Sequence, residues 1–291
     1  MLEKIKKSLK EKRESPWLYL IITFFLTWLF MLPAALINKD IGATVVIILI
    51  ILSGIFGKLI PPILLPYLMY GKDGWRDYWQ RLVDYKRLGI KWGITSLVFP
   101  ILFIFLGVIT SLFFGGKFPS FEMTNVLKII PYAFFILLYG PLPEEMGWTG
   151  YELDRLQAKF NALNSAIILG VFWLMWHFPL FFIEGSYQQQ VIGFNTMRFW
   201  LTFVPGILCL QILQVWIYNN TNRSTLSAVL IHFMTNFSGE MLNLSVMQEY
   251  FRSMWTILIT IVIVIYWGHK NLAASNKITN FDKIITKRDG M

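Results

Sequence analysis

Apolar residues run along this chain in blocks of about 20, the length that carries a helix across a hydrocarbon core. The blocks fall at 17–37, 43–70, 92–114, 126–145, 163–183, 198–218, 224–242 and 252–268. They predict an all-α polytopic membrane protein with eight transmembrane helices, a single membrane domain over 1–291. The second block is over-long and carries Gly57, Lys58, Pro61, Pro62 and Pro66, so a tilt, kink or break is expected there. Between 72 and 91 the pattern changes: Trp75, Tyr78, Trp79 and Leu82 recur at i, i+3, i+4 and i+7, with Arg76, Asp77, Arg81 and Asp84 around the rest of the helix. That spacing predicts an amphipathic cytoplasmic segment, an anchor or a lid at the membrane surface. Residues 1–15 and 269–291 are polar and basic, and neither an internal repeat nor a second domain is visible.

Composition strengthens the membrane reading. Hydrophobic residues make up 56% of the chain and charged ones 15%, a balance that demands a lipid-facing surface. The net charge of +9 reports topology before it reports partners, and membrane lipids rather than nucleic acid are the expected surroundings. With eight spans, 20 of the 26 Lys and Arg residues fall on one side, so both termini are expected in the cytoplasm. The first apolar run exceeds an ordinary signal-peptide core and is expected to be retained. A single cysteine, Cys209, excludes an intrachain disulfide and a thiolate metal cluster.

Ionisable groups inside apolar blocks are candidates for function, because lipid leaves them unsatisfied. Three segments carry them. Pro143-Glu144-Glu145-Met146-Gly147-Trp148 holds two consecutive carboxylates, which repel when both are ionised, so one holds a proton or faces a positive partner. The pair alone would equally mark the point where the fourth span meets water. Phe172-Trp173-Leu174-Met175-Trp176-His177 puts a histidine deep in an apolar span, with Trp173 one turn away on the same face. His232 and Asn236 share a face at i, i+4, and Glu240 continues the stripe. Interhelical hydrogen bonding would account for each segment singly. A shared polar cavity accounts for all three.

Taken together these segments resemble the three motifs of the CAAX protease and bacteriocin-processing family, also called the ABI family. The resemblance covers Pro143 to Asn236, in that family's order, and leaves the first three spans without a motif. It implies an eight-helix fold with an interior polar cavity open to the cytosol, and peptide-bond hydrolysis inside it. The implied substrate is a peptide or lipidated protein, and eukaryotic members remove the last three residues of prenylated proteins. Glu144 and Glu145 match the glutamate pair, His177 the second-motif histidine, His232 and Asn236 the third-motif pair. Two positions depart from the pattern. Threonine stands at 149 where the family has arginine, and Trp173 replaces a phenylalanine. Another cation is expected to substitute for the arginine, and Lys58 is a better candidate than Arg155, which lies roughly 16 Å from Glu144 along a helix axis.

With no serine or cysteine singled out by the motifs, the simplest hydrolysis uses water activated by Glu144 or Glu145 and oriented by His177. Asn236 and His232 then donate to the developing oxyanion. No cofactor is needed. The metal alternative has His177, His232 and a glutamate holding zinc in an open three-ligand site. A second class of function keeps the cavity and drops the chemistry: a catalytically silent peptide-binding or bacteriocin-immunity protein, a reading fed by Thr149. A proton-coupled transporter fits less well, since no inverted repeat is visible.

Overall fold

Each apolar block folds as a helix because a backbone away from water must bond to itself, and proline and glycine decide where the helices bend or stop. The computed structural model describes residues 15–37, 39–123, 125–194 and 196–273. The expected N-terminal basic stretch, but for Ser15, and residues 274–291 of the expected tail lie outside them.

Helix α1, Trp17–Leu36, turns Tyr19, Thr23, Thr27 and Met31 inward and leaves Ile21, Phe25, Leu29 and Leu32 exposed. Hydroxyls inside and aliphatic groups outside suit a helix whose solvent is lipid. Helix α2, Lys39–Ser53, runs through a π-helical turn, Gly54–Leu59, into α3, Ile60–Val83. The cause is local. Pro61 has no N–H to return to the Gly57 carbonyl, which instead accepts a 2.5 Å hydrogen bond from Thr23 Oγ1. A Cβ on Gly57 would stand 1.9 Å from Thr27 Oγ1, so glycine alone lets α1 approach this turn and face Lys58 inward.

Left-handed Gly71 and Gly89, with φ of 64° and 67°, set the amphipathic segment apart from the spans on either side. Its apolar face is buried against protein: Tyr78 and Leu82 pack on Met146 and Val229, and the Tyr78 hydroxyl donates to the Met146 carbonyl at 3.1 Å. Asp84 then caps α4, Tyr85–Leu112, by accepting from the Lys86 N–H.

The remaining helices are α5 (Val126–Tyr139), α6 (Pro141–Gly147), α7 (Leu153–Gln157), α8 (Ala162–Trp176), α9 (Tyr187–Phe194), α10 (Thr196–Arg198), α11 (Val204–Asn220), α12 (Thr225–Glu240) and α13 (Val246–Trp267). Further π-helical turns join α6 to α7 at Trp148–Glu152 and α10 to α11 at Phe199–Phe203. One antiparallel bridge ties the chain before α5 to the chain after α12, with Ser120 opposite Asn243 and Phe121 opposite Leu242.

Five helical stretches are long and apolar enough to cross a membrane: Trp17–Leu36, Gly42–Leu112, Ala162–Phe182, Thr196–Asn220 and Val246–Trp267. The chain is a multi-pass integral membrane protein. Gly42–Leu112 contains both predicted spans 43–70 and 92–114. The predicted spans 126–145 and 224–242 differ from the reading above, because α5 and α12 have only 14 and 16 residues. Pro141 and Pro143 divide the first, and the second carries Ser227, His232, Thr235, Asn236 and Ser238.

The bundle has two distinct ends. Tyr19, Arg81, Trp148, Asp154, Tyr218, Arg223 and Lys270 meet at the first, where Ala162 N–H reaches the Lys270 carbonyl at 2.9 Å and Tyr19 packs edge-on to Trp148. There Asp154 is buried among the Arg223 and Arg81 guanidiniums and accepts from the Tyr218 hydroxyl at 2.9 Å. The C-terminus of α1, the strand pair, the Phe182–Tyr187 turn and the α12–α13 connection form the second.

Candidate active site

Helix α6 is short, opens with Pro141 at its first turn, and runs into a π-helical turn, so its two glutamates point to different neighbours. Glu144 Oε1 meets Lys58 Nζ at 3.2 Å, and Glu144 Oε2 accepts from Trp173 Nε1 at 3.0 Å. Lys58 also donates to the Tyr139 carbonyl at 3.0 Å and lies over the Tyr139 ring at 4.6 Å from its centre. Glu145 is fully buried, with Oε1 at 2.9 Å from His232 Nδ1 and Oε2 accepting from Thr149 Oγ1 at 2.6 Å.

Two tautomers follow from these partners. A carbonyl can only accept, so His177 Nδ1, 2.7 Å from the Trp173 carbonyl, carries a proton, and a neutral His177 leaves Nε2 as an acceptor. An ionised Glu145 likewise takes the proton of His232 Nδ1. Aromatic rings hold both imidazoles in place: Trp173 packs edge-on to His232 at 5.0 Å, and Trp176 edge-on to His177 at 5.0 Å.

A cavity of about 1030 Å³ opens beside these groups. Lys58, Glu144, Trp173, His177, His232 and Asn236 line it; Glu145 and Thr149 do not. All five residues singled out in the sequence therefore gather in one region, but they divide into four that face the cavity and one, Glu145, that stands behind His232. Asn236 has no hydrogen-bond partner among the described residues, and its Nδ2 lies 3.9 Å from where a Cβ on Gly140 would stand. The described residues contain no group of three His, Cys, Asp or Glu side chains that could hold a metal ion.

Three contributors escaped the sequence reading or were only half seen. Lys58 does supply a cation, but to Glu144 rather than to Glu145, the carboxylate the missing arginine would have met. Trp173 is a hydrogen-bond donor to Glu144, a role phenylalanine could not fill; its i, i+4 spacing to His177 was the signal. Thr149 occupies the arginine position and satisfies Glu145 with a neutral hydroxyl. Replacing it by the isosteric valine is expected to leave a buried carboxylate oxygen unpartnered and to cost about 1–3 kcal/mol. Thermal unfolding in detergent would show this as a lowered midpoint; an unchanged midpoint would mean that Glu145 is held without Thr149.

From this site the cavity runs to the second end of the bundle, past Leu36, Ile37, Glu184, Tyr187, Glu240 and Glu249. No residue of the first end lines it. The basic loops and the cavity thus lie at opposite ends, so cytoplasmic termini and a cavity open to the cytosol, both expected from the sequence, are separate alternatives in this fold.

Comparison with known proteins covers the same residues. Residues 126–238 match the family described as type II CAAX prenyl endopeptidase Rce1-like, an interval that holds Glu144, Glu145, His177, His232 and Asn236 and leaves out Lys58. The chain is also similar to CAAX prenyl protease 2 of Methanococcus maripaludis, 27% identical over 257 residues, which span 87% of this chain and 94% of that protein. A match running through the motif-bearing helices, joined to a likeness that extends over nearly the whole of a relative, assigns the protein: it belongs to the Rce1-like family of type II CAAX prenyl endopeptidases.

Proposed function

We propose that this chain is an intramembrane endopeptidase that hydrolyses a peptide bond with water activated by Glu144. One observation carries the reading: of the paired glutamates only Glu144 lines the cavity, where His177, His232 and Asn236 also face inward. A water between Glu144 and His177 Nε2 would give its proton to the carboxylate as it attacks the carbonyl carbon. The oxygen of that carbonyl gains charge and is met by the Asn236 amide and by His232 Nε2–H, the imidazolium having Glu145 as its counter-ion. Lys58 and Trp173 keep Glu144 ionised and oriented. The collapsing intermediate expels the amine, which takes the proton back from Glu144. Peptides and lipidated proteins are the expected substrates.

The test is incubation of the purified protein in detergent or liposomes with peptides that carry or lack a prenyl group. Cleavage is expected, and it should persist in a strong chelator, since the attacking water is activated by a carboxylate. Loss of cleavage on chelation, restored by zinc alone, would replace this scheme with one in which His177, His232 and Glu144 hold the metal. If neither peptide set is cut by folded, monodisperse protein, the chain is a silent binding relative.

We also propose that the first end, with its concentration of basic residues, lies in the cytoplasm. The cavity mouth would then face away from it. In a Cys209→Ser background, Gln188→Cys at the mouth is expected to react with a membrane-impermeant maleimide in intact cells. Labelling only after permeabilisation would put the mouth, and the supply of substrate, on the cytosolic side.

A further inference from the structure

Two cations line the cavity among the described residues, Lys58 and Arg252. Lys58 is engaged by Glu144 and the Tyr139 carbonyl. Arg252, on α13, has no ion pair or side-chain hydrogen bond to another described residue. The acidic groups around it are mostly engaged elsewhere: Glu249 receives both Nε and Nη2 of Arg198 at 2.6 Å, and Glu240 accepts from the Tyr132 hydroxyl. Glu184 lines the mouth beyond them. A half-buried guanidinium facing a largely apolar cavity without a counter-ion is a receptor for a carboxylate.

Its position along the cavity is set by two close approaches. A Cβ on Gly107 would stand 2.7 Å from the backbone nitrogen of Arg252, so the absence of a side chain there lets α13 lie directly on α4. The guanidinium reaches α12 at Gly239, where a Cβ would stand 3.3 Å from Nη1. Gly239 follows His232 by seven residues, two helical turns, and so shares its face, about 10 Å further along the axis. Three residues of extended peptide span roughly the same 10 Å.

We propose that Arg252 receives the free C-terminal carboxylate of the substrate, so that the cavity measures three residues from the chain end to the bond beside Glu144 and His232. This rests on the endopeptidase reading and adds a residue that fixes where the cut falls. Arg252 is a specificity residue: it touches the substrate end and takes no part in the chemistry.

The test is fluorescence anisotropy in detergent, with a labelled peptide ending in a farnesylated cysteine and three apolar residues, made as the free acid and as the C-terminal amide. The Glu144→Gln protein keeps the peptide intact. It is expected to bind the acid at least about tenfold more tightly than the amide, ~1.4 kcal/mol. With Arg252→Gln added, the ratio should fall to within about twofold through loss of acid affinity, and Arg252→Lys should restore part of it. Equal binding of acid and amide, no binding of either, or a preference that survives Arg252→Gln would overturn the proposal. The acid-to-amide ratio on the Arg252 protein decides alone if Arg252→Gln does not fold. Preference for the acid with no cleavage by the unaltered protein would sink the endopeptidase reading and leave Arg252 as a peptide anchor; equal cleavage and binding of both peptides would do the reverse.

Discussion

Glu144→Gln is expected to lower kcat/KM by about a hundred- to ten-thousand-fold, the range that loss of a positioned general base produces. Glutamine keeps the length of the side chain and its contact with Lys58 or Trp173, but its amide cannot accept the proton of an attacking water. Because one of the two donors, Lys58 Nζ or Trp173 Nε1, must then face the new NH2 group, some stability is also lost. Glu145→Gln should behave differently. Its two oxygens accept from His232 and Thr149 inside the protein, out of contact with the cavity. Glutamine there satisfies one of these donors and removes the counter-ion of His232. The expected result is a lowered unfolding midpoint together with weakened oxyanion stabilisation. Measuring kcat/KM and thermal unfolding on both variants separates the roles. If Glu145→Gln proved inert in activity and Glu144→Gln did not, or the reverse with both proteins folded, the base would be assigned by that result alone.

The chemistry-bearing residues were legible because lipid makes polar side chains conspicuous. Glu144, Glu145, His177, His232 and Asn236 stand out against apolar neighbours, and their spacing on a 3.6-residue period points each set to one face. What period and hydropathy do not encode is which helices touch. Nothing in the residues around Lys58 says that its turn lies beside Glu144. That contact depends on the Pro61-induced π-helical turn, on the Thr23 hydroxyl that takes up the released carbonyl, and on the bare backbone of Gly57. The two glutamates were also inseparable in sequence, since adjacent residues on a helix differ by about 100° and either could face the cavity. Span counting failed for α5 and α12 for a related reason. A hydropathy window reads a polar helix lining a cavity and an apolar helix facing lipid on one scale, although only the second must be apolar throughout. Arg252 was counted from the sequence as a loop charge, and its approach to Gly239 is a tertiary fact.

Asp154→Asn is expected to destabilise the protein by about 3–5 kcal/mol near neutral pH, since it leaves buried arginines without their carboxylate. Asp154 is 3% exposed and receives Arg223 Nε on Oδ1 at 3.3 Å, Arg223 Nη2 on Oδ2, and Arg81 Nη1 near Oδ2 at 3.5 Å. Asp77 also meets Arg81, at 3.0 Å, and Arg223, at 3.6 Å, but it is more exposed and shares its charge with Arg87. Burial alone would raise the Asp154 carboxyl, yet Arg223 and then Arg81 outweigh it and bring the group down to about 2. An unfolded aspartate titrates near 3.9, so the depressed group adds stability above about pH 4, and that contribution is lost as pH falls from about 4 towards 2. The shift corresponds to roughly 2–3 kcal/mol. Thermal or denaturant unfolding in detergent should therefore show a wide gap between the unaltered protein and Asp154→Asn at pH 7, little changed down to about pH 5. Below pH 4 the gap should narrow, because the unaltered protein now protonates the group that the variant lacks. A gap that stays constant down to pH 2 would mean that the destabilisation comes from packing and that the carboxylate charge is not what holds α3, α7 and the Tyr218–Arg223 turn together. Since α7 continues directly from the π-helical turn that holds Thr149, loss of this cluster should also loosen the support of Glu145. The variant should accordingly lose activity at temperatures well below its global unfolding midpoint.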